Sequence, residues 1–212
     1  MFFVYGDEET NYLKEKDKKL GAIIDKIGHI DREINPDLFS SVIHSIVGQQ
    51  ISSKAHATIW GRLKNLCGEI TPKTIGVLSV EELQSVGVSI RKASYIKDFA
   101  AKVTNGEFSL KATEKLSDEE FIAALTTLKG VGRWTAEMLL LFCLCRPNVL
   151  SFDDLGIRRG MCSVYRHREL TPTLFNKYKR RLSPFGSVAA LYFWAVAGGA
   201  IDGLTPPAPR KK

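Results

Sequence analysis

Cysteine is scarce in this 212-residue chain: there are four, Cys67, Cys143, Cys145 and Cys162. They form no C-x-x-C pair, stand beside no paired histidines, and do not gather in a tight C-terminal group. The sequence therefore offers no zinc motif, no dense disulfide framework and no iron–sulfur cluster, and buried reduced thiols are expected. Long hydrophobic runs are missing too. The longest, residues 188–201, contains two glycines and falls short of the ~20 residues that cross a bilayer, so it reads as a buried helix and no membrane span is expected. The first residues lack the basic segment, apolar stretch and cleavage site of a secretory signal, which points to the cytoplasm, with nucleoid association if the source is bacterial. Acidic residues are outnumbered, 23 against 30 Lys plus Arg, for a net charge of +7. That excess favours partners bearing phosphates, or an anionic membrane surface, without deciding between them.

Apolar residues recur at three- and four-residue spacing over 12–28, 36–50, 52–66, 80–86, 91–103, 118–128, 133–144, 153–165, 172–182 and 185–201. Ser79, Ser117 and the Thr171-Pro172 pair open helices, and glycines close several of them. The expectation is an all-α fold of about ten helices joined by short loops. Residues 204–212 carry three prolines and end in Arg-Lys-Lys, as a flexible basic tail would. An internal echo relates residues 83–93 to 125–136: a helix, a tight glycine turn, then a helix opening with a basic residue.

The stretch Leu128-Lys-Gly-Val-Gly-Arg-Trp-Thr135 can turn sharply, since two glycines one residue apart accept positive φ and let backbone N–H groups approach an anion. The following helix directs its N-terminus at the same place, with Lys129 and Arg133 adding charge. An ordinary αα-hairpin would also explain the glycines alone. The flanking basic residues and the net charge favour a phosphate grip that reads backbone, not sequence. Nineteen residues past Trp134 stand Asp153 and Asp154, at the start of the next helix. One can cap that helix while the other projects from it.

LKGVGRWTAEM followed by FDDLGIR resembles the helix-hairpin-helix DNA glycosylases, most of all the 3-methyladenine DNA glycosylase II branch. Further matches are Val47-Gly-Gln-Gln-Ile-Ser52, Leu83-Gln-Ser-Val-Gly-Val-Ser with Lys92-Ala93, and Pro184-Phe-Gly-Ser-Val-Ala-Ala-Leu-Tyr-Phe-Trp194, and the similarity spans roughly residues 7–203. The resemblance implies a two-lobed all-α fold with an active-site cleft between the lobes. One lobe would comprise 1–35 plus 153–203, and the other 36–152, with the helix-hairpin-helix at 125–144.

It also implies roles. Asp154 would be the catalytic carboxylate, stabilising an oxocarbenium-like sugar and orienting water, kept ionised by the helix N-terminus, Arg158 and Arg159. Asp153 would then be a structural cap or a group supporting Asp154 from behind. Bifunctional members carry a Schiff-base lysine where this chain has Trp134, so base removal by water is expected. Trp134, Trp194, Met138 and Tyr192 would line the pocket for a flipped, positively charged alkylpurine. On the residues alone, Trp194 is as readily a core tryptophan. Gln49, Gln50 and Ile51, with Gln50 foremost, would fill the gap left by the base. Lys129, Gly130, Val131, Gly132, Arg133 and Thr135 would hold DNA, and the carbonyls of Thr126, Leu128 and Val131 could take a monovalent ion. The resemblance requires no cofactor, and the expected partner is damaged double-stranded DNA bound by a monomer. His44 reads as a packed or capping residue and Trp60 as core.

Two departures stand out. The family commonly has Arg between the aromatic and Ser of the segment that here reads Phe185-Gly186-Ser187. Larger members carry an additional N-terminal β-rich domain, whereas this chain starts at helices, which leaves Phe2, Phe3 and Tyr5 as candidates to cover the pocket. Glycosylases of the same scaffold acting on oxidised or mismatched bases, and a non-catalytic DNA-binding module, are the competing readings.

Overall fold

In the computed structural model, residues 1–208 are described, and they form thirteen helices with one isolated bridge, between Phe2 and Glu33. The helices are α1 (Asp7–Lys16), α2 (Lys18–Ile27), α3 (Leu38–Gly48), α4 (Ser53–Cys67), α5 (Pro72–Val77), α6 (Val80–Ser85), α7 (Ile90–Thr104), α8 (Leu110–Thr113), α9 (Asp118–Thr126), α10 (Arg133–Phe142), α11 (Leu155–Tyr165), α12 (Pro172–Leu182) and α13 (Gly186–Ala197). The all-α expectation holds, and the count exceeds ten for local reasons. Residues 12–28 do not make one helix: the chain breaks at Asp17, whose carboxylate accepts the N–H groups of Lys19 and Leu20 and so starts α2. α5 and α8, of six and four residues, are too short for a helical period to show.

The chain divides into two compact units, Met1–Ile34 with Cys145–Lys212, and Asn35–Leu144. Residues 145–152, assigned to the central lobe from sequence, belong to the terminal unit. Ser187, in the first turn of α13, draws them in: its N–H donates to the Pro147 carbonyl at 3.0 Å, and its hydroxyl accepts from the Val149 N–H at 2.9 Å.

The terminal unit is built around α13, which is apolar on nearly all sides; Val188 through Phe193 are all buried. α11 reaches it through Gly160, where a methyl group would overlap the Phe193 carbonyl. Asp17, 3% exposed, ties α2 to α11 and α12 by accepting from the Tyr165 hydroxyl at 3.1 Å and from Arg181 at 2.9 Å. Phe3 and Tyr5 are buried and belong to the core, while Phe2 is half exposed. Tyr5 stacks on His29 with ring centroids 4.4 Å apart.

The central unit packs α3 and α7 across stacked Phe39 and Phe99 rings, and α9 and α10 close the hairpin. α6 and α7 repeat the helix–turn–helix pattern around Gly87, at φ +110°, as the internal echo anticipated.

Two smaller expectations change. Only Cys143 and Cys162 are buried, while Cys67 and Cys145 are partly exposed. The tail is not loose at its beginning, because Arg166 donates to the Thr205 carbonyl at 3.0 Å; its last four positions, 209–212, lie outside the described residues. Among the described residues, no helix is long and apolar enough to cross a membrane.

Because the Gly160 methyl would meet backbone and not a flexible side chain, Gly160→Ala is expected to cost the upper part of the roughly 1–3 kcal/mol typical of overpacking. Calorimetry should show a melting temperature lower by about 6–12 °C.

Candidate active site

Asp154 is placed by the start of α11. It is the N-cap, extended at φ −82° and ψ 114°, and its Oδ1 accepts the Ile157 N–H at 2.8 Å. The same oxygen accepts the indole N–H of Trp194 at 2.9 Å, and the residue is 7% exposed. The helix dipole and two donors therefore converge on one buried carboxylate. Gly156 makes this possible: a Cβ there would stand 2.7 Å from Trp194 Cδ1 and 3.2 Å from Asp154 Oδ1. Asp153 is exposed and does not cap the helix. The capping role passes to Asp154 because only the residue directly before Leu155 reaches the third amide of the helix. Arg158 lays its guanidinium over the Phe152 ring, 4.8 Å from its centroid.

The hairpin joins α9 to α10. Gly130 has φ +84°, and a Cβ there would fall 2.5 Å from the Tyr95 ring, so both backbone and space demand glycine. Gly132 differs from expectation: it is extended at φ −96° and caps α10 without a side chain. Lys129 pairs with Asp98 at 2.9 Å, and Arg133 pairs with Glu119 at 2.9 Å and Glu137 at 3.2 Å. The charge expected for an anion is thus matched internally, by an exposed carboxylate at Glu119 and by a buried one at Glu137. Val131 and Thr135 are buried, and the Val131 N–H donates to the Leu128 carbonyl at 3.1 Å. Thr126 ends α9 and donates its hydroxyl to the Ile122 carbonyl.

Trp134, in the first turn of α10, is 44% exposed, with Met138 one turn further and half-buried. Tyr192 does not line a pocket; it is fully buried, and its hydroxyl donates to the Gly28 carbonyl at 3.0 Å. At Gly186, a Cβ would lie 3.0 Å from Oδ1 of Asn148, in the 145–152 segment.

The segment after α3 separates the two glutamines. Gln49 turns inward and donates its amide to the Gly130 carbonyl at 2.6 Å. Gln50 takes a left-handed backbone, φ +56°, and is exposed with Ile51, before Ser52 caps α4. Lys92, for which the sequence suggested no role, donates to the carbonyls of Val47 and Gln49. His44 packs on His56 and edge-on to Trp60, itself half-buried. Desolvation and the neighbouring His56 and Lys64 push the pKa of His44 down to about 4, so it is neutral near pH 7 and a poor proton donor there. Among the described residues, no three His, Cys, Asp or Glu side chains converge as a metal site.

An all-helical chain with a glycine hairpin before one helix and a buried, indole-bonded aspartate capping the next has the architecture of a helix-hairpin-helix protein. The chain belongs to the HhH-GPD superfamily of base excision DNA repair proteins, whose family model matches residues 43–184. It is 35% identical over 178 residues to DNA-3-methyladenine glycosylase 1 of Schizosaccharomyces pombe, covering 82% of this chain and 78% of that one. The crystal structure of a DNA-3-methyladenine glycosidase from Bacillus halodurans superposes with a TM-score of 0.85 at 32% identity, covering 97% of this chain and 96% of the other. The Schizosaccharomyces pombe 3-methyladenine DNA glycosylase in complex with abasic DNA gives a TM-score of 0.80 at 31% identity, covering 92% and 98%.

The two hairpin glycines should behave differently. Gly130→Ala is expected to weaken DNA binding about tenfold or more in fluorescence anisotropy and to lower the melting temperature, since it strains φ and strikes Tyr95. Gly132→Ala has open space around its Cβ and should shift the melting temperature by no more than about 2 °C.

Proposed function

We propose that this protein is a monofunctional DNA glycosylase that flips alkylated purines, of the 3-methyladenine and 7-methylguanine kind, out of double-stranded DNA and removes them with water, leaving an abasic site. The observation that carries the reading is the Asp154 carboxylate, buried at the start of α11 and held by the Ile157 amide and the Trp194 indole. A carboxylate oriented in advance, in a site of low dielectric, is suited to stabilising positive charge on a sugar ring as its glycosidic bond breaks. An alkylated purine is already a cation and a good leaving group, which suits a site with no protonated histidine near neutral pH. Trp134, whose indole is partly exposed, offers a π-face to such a base, worth ~1–2 kcal/mol when desolvated. Its indole has no amine for Schiff-base chemistry, which favours water as the nucleophile.

The remaining assignments belong to the same proposal. Gln50 and Ile51 enter the gap left by the base. The amides of the hairpin and of the first turn of α10 take a backbone phosphate, with Lys129 and Arg133 exchanging their carboxylate partners for it. The carbonyls of Thr126, Leu128 and Val131 are offered to a monovalent cation, and the protein acts as a cytoplasmic monomer without a cofactor.

Incubation with duplexes containing 3-methyladenine or 7-methylguanine, without magnesium, should release the free base. Release of only an oxidised or mismatched base would move the protein to another specificity on this scaffold. Asparagine keeps an oxygen for both donors, so Asp154→Asn should fold and bind DNA while losing about 10²–10³-fold or more in base release. Borohydride should trap no covalent adduct; a trapped adduct with strand cleavage would overturn the hydrolytic reading.

A further inference from the structure

Four contacts in the central unit are not required by chemistry at the sugar. The Lys92 ammonium donates to the Val47 carbonyl at 2.9 Å and to the Gln49 carbonyl at 2.6 Å. The Gln49 side chain donates to the Gly130 carbonyl at 2.6 Å. Tyr95, three residues after Lys92 on α7, packs its ring where Gly130 leaves no side chain. We propose that Lys92 is the positioning residue of the base-gap wedge: by clamping the carbonyls of Val47, in the last turn of α3, and of Gln49, just past its end, it sets the backbone from which Gln50 and Ile51 enter the duplex. The inference rests on the glycosylase reading for the wedge itself.

The position of Lys92 argues for a dedicated role. It lies in the first turn of α7, where the helix dipole disfavours a cation, and its own N–H is already taken up by the Ser89 cap. What favours an ammonium there is the other helix end. The C-terminal carbonyls of α3 are that helix's negative pole, and Lys92 takes one of them, Val47, together with the Gln49 carbonyl just past the helix end. Partial burial, with Arg91 next to it, lowers the Lys92 pKa from its ordinary value, so the clamp is held against a desolvation cost.

The geometry beyond the clamp explains why the carbonyls need holding. α3 ends at Gly48, where a Cβ would stand 2.7 Å from the His56 ring, so the helix end is pressed against α4. Gln49 is extended, at φ −60° and ψ 133°, and Gln50 then turns left-handed. A non-glycine residue stays in that conformation only when its surroundings impose it. Lys92 fixes the carbonyl immediately before the turn, and Gln49 joins the same point to the hairpin. Positions 92 and 95, which share a face of α7, thereby hold the wedge and the phosphate-binding turn in one register.

The test compares the wild type, Lys92→Met and Lys92→Arg in single-turnover release of 7-methylguanine from a duplex and from the same single strand. Only the duplex has a stack to wedge. Lys92→Met should lose about tenfold or more on the duplex and stay within about twofold of wild type on the single strand, with Lys92→Arg recovering part of the loss. Equal loss on both substrates, or no loss on the duplex, would overturn the proposal. Should the wild type release no base from either substrate, the glycosylase reading fails by itself. Lys92 is then judged by the emission of 2-aminopurine stacked beside an abasic analogue in a duplex. Wild type should raise it and Lys92→Met should not, whereas equal emission from both overturns the clamp. If Lys92→Met melts far below wild type, Lys92→Arg, with its displaced charge, carries the same duplex-to-single-strand comparison.

Discussion

One carboxylate oxygen receives two N–H donors at the beginning of α11, and much of the terminal unit is arranged to permit it. Ile157 and Trp194 meet at Asp154 Oδ1 only because Gly156 leaves space for the indole, and because Gly160 lets α11 lie directly on the backbone of α13. Asp17 and Tyr192 then bind these helices to the N-terminal segment, through Tyr165 and Arg181 in one case and through Gly28 and Tyr5 in the other. A buried carboxylate is costly unless its hydrogen bonds are made, so the same contacts that hold the site also hold the fold.

The central unit follows a different logic. The features proposed to face DNA are backbone features: a left-handed glycine at 130, a helix start without a capping side chain, and a left-handed Gln50. Each depends on packing behind it, from Tyr95, Gln49 and Lys92. Grip through main-chain groups suits a protein that must meet damage at any sequence, because phosphates are the same everywhere.

The parts of this arrangement that were legible in the sequence are those carried by neighbouring residues. The glycine hairpin, most helices, and the Asp pair with its helix could be read from spacing alone. Which aspartate caps α11 was not legible, because a one-residue register decides which side chain reaches the third amide, and two adjacent aspartates are equivalent in a string. Two of the partners of Lys129 and Arg133 were hidden, since Asp98 and Glu119 lie 31 and 14 residues away. Tyr192 looked like a pocket residue since aromatic periodicity says nothing about which way a helix buried on nearly all sides turns each ring. Lys92, part of a segment that matches the family, left one physical trace of a role, a cation in the first turn of a helix, where the dipole argues against it.

The central claim is that Trp194 serves the reaction through its N–H, orienting Asp154, and not only through an aromatic face. Single-turnover base release by Trp194→Phe tests this most directly, since phenylalanine keeps an aromatic wall and removes the donor. A hydrogen bond to a charged group is worth roughly 1.5–3 kcal/mol, so the rate should fall about 10- to 100-fold with DNA affinity unchanged. A Trp194→Phe protein that releases base at the wild-type rate, while Trp194→Ala does not, would show that stacking alone is what Trp194 provides.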